Sequence, residues 1–253
     1  MLADYDARRP NEIFAERDTN WLTLEDAYTV LRVVAELRRA RGERCLGFKI
    51  GCVSPAIQTQ LGLHQPVHGY LWDTEAHLSG SRLAAARFAR LAVEGEIALR
   101  LRRDFPTGPR TSLDEISDYI EGWFPVIELH NHVFRGAKLT SQELVAGNAM
   151  HAGFVAPSDQ KHRDLTAMDR AEIRVEIDGI EVENKNVAVL PDGPLGSLRW
   201  LASALALAGQ TLKAGTTVLT GSPGRLIPIQ AGCSVVVSCE GQRVEFTCTE
   251  GPA

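Results

Sequence analysis

The sequence predicts an α+β fold, with a mixed, curled β-sheet body and an N-terminal helical segment. Many short apolar runs rich in β-branched residues are typical of strands, and only a few segments show helical spacing. Strands and helices do not alternate as they do in βαβ units, and the glycines lie at predicted turns instead of in a dinucleotide-binding fingerprint. A doubly wound Rossmann fold is therefore not expected.

The N-terminal part of the chain predicts a short arm followed by one amphipathic helix at 23–41. Thr23 is a suitable N-cap, apolar residues recur at three- and four-residue spacings, and Gly42 ends the pattern. A strand at 45–50 follows, and then a short helix at 55–61. This organisation divides the chain into an N-terminal arm and helix, residues 1–45, and a β-rich domain, residues 46–253.

The rest of the chain predicts a series of strands interrupted by two helices. Asp178-Gly179 lies between two of the strand candidates and is a strong hairpin signal. Helices are expected at 112–121, where Ser112 and Glu115 occupy capping-box positions, and at 195–208. Strands are expected at 69–72, 91–102, 123–129, 153–155, 171–177, 181–186, 217–220, 234–239 and 243–249.

Composition and charge exclude several classes of protein. The 253 residues are 44% hydrophobic and 23% charged, which is typical of a globular chain with one large domain or a core and a small appendage. A formal charge of −5 provides no basic surface for nucleic acid. No apolar stretch is long enough to span a bilayer, and the N-terminus lacks the apolar core of a signal peptide, so we expect a cytoplasmic protein without a membrane partner.

The cysteines predict neither a disulfide framework nor a zinc site. There are five, an odd number, and no two of them form a CxxC pair. Reduced thiols, some of them in the core, are the expected state.

Three glutamates carry most of the functional information. Glu94 and Glu96 are two positions apart in a predicted strand and so face the same way, and Glu128 lies in a second apolar strand. If the two strands are neighbours, three carboxylates form a ring of oxygens suited to Mg²⁺ or Mn²⁺. The pattern alone also fits the solvated face of an edge strand.

A lysine and two turns complete the set of candidate residues. Lys49 lies in an apolar strand between glycines, where it must pair with carboxylates, lose its proton or extend to the solvent. Asp73 ends the strand 69–72 and could orient Lys49 or a water molecule, or be an ordinary turn residue. Thr220, Gly221 and Ser222 form a turn whose hydroxyl and N–H groups could hold a substrate carboxylate.

Taken together, the motifs resemble the fumarylacetoacetate hydrolase superfamily, and within it the branch of 2-keto-4-pentenoate hydratase and 4-oxalocrotonate decarboxylase. The resemblance extends over most of the chain from about residue 22. Its motifs are Leu24-Glu25-Asp26-Ala27-Tyr28, Gly47-Phe48-Lys49-Ile50-Gly51 with Ser54, Gln60-Leu61-Gly62, Gln65-Pro66 with Gly69, Glu94-Gly95-Glu96-Ile97-Ala98, Pro125-Val126-Ile127-Glu128, Asn148-Ala149 and Thr220-Gly221-Ser222.

This resemblance implies a fold, a cofactor and a set of site residues. The fold is a curled β roll like the C-terminal domain of fumarylacetoacetate hydrolase, so 46–253 would be the catalytic domain. The cofactor is Mg²⁺ or Mn²⁺, and a homo-oligomer is expected. The implied residues are Glu94, Glu96 and Glu128 as metal ligands, Lys49 and Asp73 as catalytic groups, and Ser54, Thr220 and Ser222 as substrate-binding groups.

Three departures from the family pattern suggest that the substrate has changed. Gly147 stands where relatives commonly carry Asp, and Gly193-Pro194-Leu195-Gly196 replaces the usual Gly-His-Pro. His130 and His132 follow Glu128, where relatives more often show an apolar residue or an Asp. On a continuing strand His130 would share the face of Glu128 and could touch the metal site; alternatively, both histidines begin an exposed loop.

The resemblance implies a metal-dependent hydratase that acts on a small 2-oxo acid or its 2-hydroxydienoic form. A decarboxylase of the 4-oxalocrotonate type is the alternative. A C–C bond hydrolase ranks third, because it needs a His-Glu dyad and neither His64 nor His68 has a recognisable glutamate partner. A catalytically inactive binding or assembly protein is an alternative of another class, but the presence of Lys49 with all three glutamates argues against it.

Overall fold

The computed structural model describes residues 1–9, 14, 22–106, 112–132, 139–158, 164–187 and 192–251. The helices are α1 (Leu2–Asp6), α2 (Leu24–Ala40), α3 (Pro55–Leu61), α4 (Leu113–Ser117), α5 (Ser141–Ala146), α6 (Leu165–Met168) and α7 (Gly193–Leu207). The strands are β1 (Cys45–Gly51), β2 (Val67–Trp72), β3 (Ala76–Leu78), β4 (Ser81–Ala84), β5 (Leu91–Leu101), β6 (Ile120–Asn131), β7 (His151–Ala156), β8 (Glu172–Ile177), β9 (Ile180–Asn186), β10 (Thr217–Leu219), β11 (Ile227–Pro228), β12 (Ser234–Cys239) and β13 (Gln242–Thr249).

Two β-sheets form the body of the protein. Within the described ranges, the larger sheet has eight strands in the order β2-β1-β10-β5-β6-β7-β3, with β11 added beside β5. The smaller sheet has five strands in the order β4-β13-β12-β8-β9. Parallel and antiparallel pairs occur in both sheets, so the predicted mixed α+β class is confirmed.

Strand β5 lies in the middle of the larger sheet, between β10 and β6. It pairs with β6 along its whole length, from Leu91 opposite Asn131 to Leu101 opposite Ile120. The interpretation of its alternating glutamates as the solvated face of an edge strand is therefore wrong. A central strand has no edge, and its side chains are covered by the elements on either face.

Gly95 is required by the packing of the two sheets against each other. A Cβ atom added at Gly95 would lie 2.8 Å from Cγ2 of Ile173 and 2.9 Å from Cγ2 of Val175, both on β8 of the smaller sheet. Since successive residues of a strand face opposite ways, Glu94 and Glu96 point to the other face of the larger sheet. The smaller sheet thus fixes which face of β5 carries the carboxylates.

Helix α2 corresponds to the amphipathic helix predicted at 23–41. The side chain of Thr23 accepts a hydrogen bond from the N–H of Asp26, and the Asp26 carboxylate accepts one from the N–H of Thr23, which completes a capping box. Leu31 and Ala35 are buried in the same apolar core as the strands of the larger sheet. The division of the chain into domains at residue 45 stays a prediction.

The helix expected at 112–121 is shorter than predicted. Ser112 and Glu115 do form the capping box, but α4 ends at Ser117 and the chain enters β6 at Ile120. The apolar residues that follow, such as Trp123 and Phe124, are fully buried, so pairing with β5 outweighs continuation of the helix.

The predicted hairpin at Asp178-Gly179 is confirmed. Asp178 and Gly179 both have positive φ and join β8 to β9, as a two-residue hairpin turn requires. All five cysteines are free thiols, and Cys239 and Cys248 are buried. Among the described residues, no helix has the length and hydropathy needed to cross a membrane.

The packing at Gly95 gives a stability prediction. Gly95→Ala is expected to destabilise the protein by about 1–3 kcal/mol, because the added methyl group overpacks the space between the sheets. A thermal unfolding scan should show a melting temperature several degrees lower. Gly251→Ala is the control, since nothing lies within 4 Å of its Cβ position; equal melting temperatures for the two variants would contradict this packing argument.

Candidate metal and active site

The centre of the site is a pair of carboxylates on neighbouring strands. Glu94 of β5 lies directly opposite Glu128 of β6 in the antiparallel register. Glu128 is fully buried, whereas the side chain of Glu94 is 20% exposed. Like charges directly opposite each other on a sheet repel, and burial strengthens the repulsion. This arrangement is therefore stable only if positive charge or protons compensate it.

Glu96 is buried on the same face of β5, two residues beyond Glu94. Its Oε2 accepts a hydrogen bond of 2.9 Å from the N–H of Gly221, while Oε1 is buried and has no hydrogen-bond partner among the described residues. Burial, together with the charges of Glu128 and Glu94, raises the pKa of Glu96 well above its ordinary value.

Lys49 reaches this cluster from β1. Its Nζ lies 3.2 Å from Oε1 of Glu128 and donates a hydrogen bond of 3.4 Å to the carbonyl of Ala149. Burial lowers the pKa of Lys49, but the charges of Glu128, Glu96 and Glu94 outweigh burial and raise it above its ordinary value. Of the three fates predicted for this lysine, pairing with carboxylates is the one that the structure adopts.

A left-handed turn places the carbonyl of Ala149 beside Lys49. Asn148, Ala149 and Met150 have φ values of 58°, 51° and 61°, a conformation that costs energy in residues other than glycine. The Asn148 side chain holds the turn, because it accepts a hydrogen bond from the N–H of Tyr70 and donates one to the Tyr70 carbonyl. Gly69 leaves room for it: a Cβ there would lie 2.7 Å from Oδ1 of Asn148.

Two buried histidines flank Glu128. His130 lies on β6 and is 2% exposed, so the expectation that it begins an exposed loop is wrong. Its Nε2 lies 3.1 Å from Oε2 of Glu94 and 3.5 Å from Oε2 of Glu128. Burial disfavours its charged form, but Glu128 and Glu94 raise the pKa of His130 to about 9.

His151 is the site residue that sequence reasoning missed. It is fully buried, and its Nδ1 lies 2.7 Å from Oε1 of Glu128. In the sheet it lies opposite His130 in the pairing of β6 with β7. The available signal was a histidine two positions after Ala149 of the motif Asn148-Ala149, at the start of an apolar strand.

The two oxygens of Glu128 have different surroundings. Oε1 lies beside Lys49 and His151, whereas Oε2 is buried without a hydrogen-bond partner in the described part of the chain. Burial tends to raise the pKa of Glu128, but the charges of Lys49 and His130 and the hydrogen bond with His151 lower it well below its ordinary value. Glu128 is therefore ionised, and Oε2 is the oxygen that remains available to a ligand.

The cluster fits a divalent cation. Glu94, Glu128 and His130 each offer one donor atom, and these atoms lie within 4.8 Å of one another. The pKa values of Glu96 and His130 are raised by the neighbouring carboxylates, which shows that the cluster favours additional positive charge. A divalent cation can supply the same positive charge, and the unpartnered oxygens of Glu96 and Glu128 provide hard ligands for it.

Asp73 does not lie with these residues. Its carboxylate accepts hydrogen bonds from the backbone N–H and the side chain of Arg44, both between 2.8 and 2.9 Å. Lys49 lies opposite Gly69, four residues before Asp73, which corresponds to roughly 13 Å along the strand. The prediction that Asp73 orients Lys49 is therefore wrong, because the turn after β2 directs the carboxylate to Arg44.

A cavity of about 280 Å³ lies beside Lys49, Glu94 and His130. Of the predicted substrate-binding residues, Ser54 and Ser222 line it, whereas Thr220 is fully buried and donates its hydroxyl hydrogen to the carbonyl of Ile97. The lining also includes Arg225, an exposed cation that sequence reasoning missed. Its apolar lining includes Val53, Ile57, Leu61, Leu139, Leu144 and Leu226.

Comparison with known proteins identifies the family. The model of the fumarylacetoacetate (FAA) hydrolase C-terminal domain matches residues 56–248, which is more than half of the chain. The chain belongs to the fumarylacetoacetate hydrolase family. It is 31% identical over 252 residues to a 2-hydroxyhexa-2,4-dienoate hydratase of Comamonas testosteroni, with 96% of this chain and 94% of that protein covered.

The chain is also similar to a second hydratase in sequence and to a solved decarboxylase structure in fold. The chain is 34% identical over 218 residues to a 2-keto-4-pentenoate hydratase of Burkholderia vietnamiensis, which covers 85% of this chain and 82% of that protein. A solved structure of 4-oxalocrotonate decarboxylase from Pseudomonas putida, complexed with magnesium and adipate, has a TM-score of 0.88 and 24% identity, with 97% and 93% covered. This likeness confirms the curled, mixed sheet of the family fold.

The geometry of the cluster predicts a stabilising effect of divalent cations. Saturating Mg²⁺ or Mn²⁺ should raise the melting temperature by roughly 5–10 °C, the effect of a ligand at about 100 times its dissociation constant. Glu94→Ala and Glu128→Gln should remove most of this rise. Glu245→Ala, which removes a half-exposed carboxylate of the smaller sheet, is the control that should keep it. A rise that persists in both site variants would show that the cation binds elsewhere.

Proposed function

We propose that this protein is a metal-dependent hydratase of a small 2-hydroxydienoic acid, the dienol form of a 2-oxo acid. Two kinds of evidence support the proposal. Its relatives at 31% and 34% identity are hydratases of such acids. The observation that carries the proposal is the contact of the buried Lys49 ammonium group with Glu128, at one end of a cavity that also contains Glu94.

In this proposal Glu94, Glu96 and Glu128 hold Mg²⁺ or Mn²⁺. When bound there, the cation supplies a Lewis acid for the carboxylate and the 2-oxygen of the substrate. The cavity then receives the carbon chain of the substrate against its apolar lining. Arg225 and Ser222 lie on that lining and are suited to polar groups at the other end of the substrate.

Lys49 is the proton-transfer group of the proposed reaction. Its Nζ is held by Glu128 and by the carbonyl of Ala149, so the direction of its remaining N–H bonds is restricted. It donates a proton to the terminal carbon of the dienol, and the proton that the 2-hydroxyl group releases returns to the Lys49 amine, which gives an α,β-unsaturated 2-oxo acid. Water then adds across that double bond, with its oxygen at C4 and a proton at C3.

Lys49 gives the activity prediction. Lys49→Ala should lower turnover of 2-hydroxypenta-2,4-dienoate at least about 100-fold, because the proton donor is lost. The rate is followed by the ultraviolet absorbance of the dienol. Affinity for the divalent cation should be retained, since removal of a positive charge leaves the carboxylates in place.

Lys213→Ala is the matched control for this variant, because Lys213 is an exposed lysine paired with Asp104. Turnover by Lys49→Ala at the wild-type rate, or loss of cation binding in that variant, would contradict the role assigned to Lys49.

Product analysis for CO₂ separates hydration from decarboxylation of a 4-oxalocrotonate-type acid. Failure of the wild-type protein to convert any 2-oxo acid would favour an inactive binding protein. The cytoplasmic location and the homo-oligomeric state stay predictions.

A further inference from the structure

The imidazole of His130 lies inside the carboxylate cluster, although the family pattern leads us to expect an apolar residue or an Asp here. Residues two apart on a strand share a face, so β6 places His130 beside Glu128 on the side of the cavity. Opposite His130 on β5 lies the small residue Ala92. Glu94 is two residues beyond Ala92 and is therefore the diagonal neighbour of His130, a separation that long side chains can bridge. The His130 ring contacts the Glu94 carboxylate in this way.

The distances among the three donor atoms match those of ligands on one ion. Ligands bound at about 2.1 Å and at right angles to each other lie roughly 3.0 Å apart, and opposite ligands lie roughly 4.2 Å apart. Nε2 of His130 lies 3.1 Å from Glu94 Oε2 and 3.5 Å from Glu128 Oε2. All three donor atoms fall within 4.8 Å of one another.

The ring of His130 lies close to both carboxylates without making a hydrogen bond of good geometry to either. Both nitrogens of His130 are buried and lack a hydrogen-bond partner of acceptable geometry in the described ranges. The same holds for Oε2 of Glu128, which faces His130. Buried polar atoms are rarely left without a partner, and one ion bound between Nε2 of His130 and Oε2 of Glu128 would give a partner to both.

We propose that His130 is a direct ligand, through Nε2, of the divalent ion held by Glu94 and Glu128, and that the site therefore prefers a first-row transition ion such as Mn²⁺ to Mg²⁺. This inference rests on the metal site of the proposed function. An imidazole nitrogen contributes little to binding of the hard ion Mg²⁺ but strengthens binding of transition ions. Glu96 remains available as a further oxygen ligand through its unpartnered Oε1.

The experiment combines spectroscopy with metal competition. The protein is labelled with ¹⁵N-histidine and loaded with Mn²⁺, and pulsed electron–nuclear double resonance measures coupling of the electron spin to nitrogen. The same protein is then titrated with Mn²⁺ and with Mg²⁺ to obtain the ratio of their affinities. His130→Val and His130→Gln are the test variants, and His64→Gln, which changes an exposed histidine, is the control.

Wild type and the control should show the coupling of a directly bound imidazole nitrogen, and both His130 variants should lose it. The preference for Mn²⁺ over Mg²⁺ should fall at least about tenfold in the variants, with Mg²⁺ affinity changed by less than about threefold. Bound Mn²⁺ without nitrogen coupling in wild type would overturn the role of His130 and leave the metal site standing. Absence of any Mn²⁺ or Mg²⁺ binding by wild type would overturn the proposed function as well.

Discussion

The buried pair of Glu94 and Glu128 is the constraint on which the rest of the site depends. Two carboxylates opposite each other in the centre of a sheet are unfavourable unless positive groups surround them. Two distant segments reach Oε1 of Glu128: β1 brings the positive charge of Lys49, and β7 brings a ring nitrogen of His151 within hydrogen-bond distance. The other oxygen of Glu128 faces His130 and has no hydrogen-bond partner among the described residues, so it is left as a candidate metal ligand.

Backbone geometry holds this arrangement in place. The smaller sheet packs so closely on Gly95 that the carboxylates must face the cavity, and Gly69 admits the strained turn that carries Ala149. Gly221 has a positive φ of 97° and directs its N–H to Glu96. Strain at such positions is maintained only where the surrounding packing is well determined, as it is between two sheets.

Much of the fold could be predicted from the sequence because local patterns determine it. The capping box of α2 and the Asp178-Gly179 turn depend on residues a few positions apart, and both form as expected. The helix at 112–121 was overestimated because strand pairing with β5, a contact between distant segments, is not visible in a local pattern. The same limitation applies to β5, since its central position depends on the order of strands in the sheet.

The site was predictable only where it depends on residues close together in the sequence. The face shared by Glu94 and Glu96 follows from their spacing, whereas Lys49 was assigned by motif and its partner Glu128 became evident only in the sheet. Asp73 occupied a plausible position in the sequence, but Arg44 binds it at the far end of β2. His151 carried no periodic signal, so its contact with Glu128 depended entirely on the pairing of β6 with β7.

The most direct test of the central claim is a crystal structure of the protein soaked in Mn²⁺, with anomalous diffraction measured to locate the ion. The account predicts one strong peak within about 2.3 Å of carboxylate oxygens of both Glu94 and Glu128, with Lys49 adjacent on the side of Glu128 Oε1. A map without a peak in this cluster, or with the two carboxylates directed to different surfaces, would contradict it.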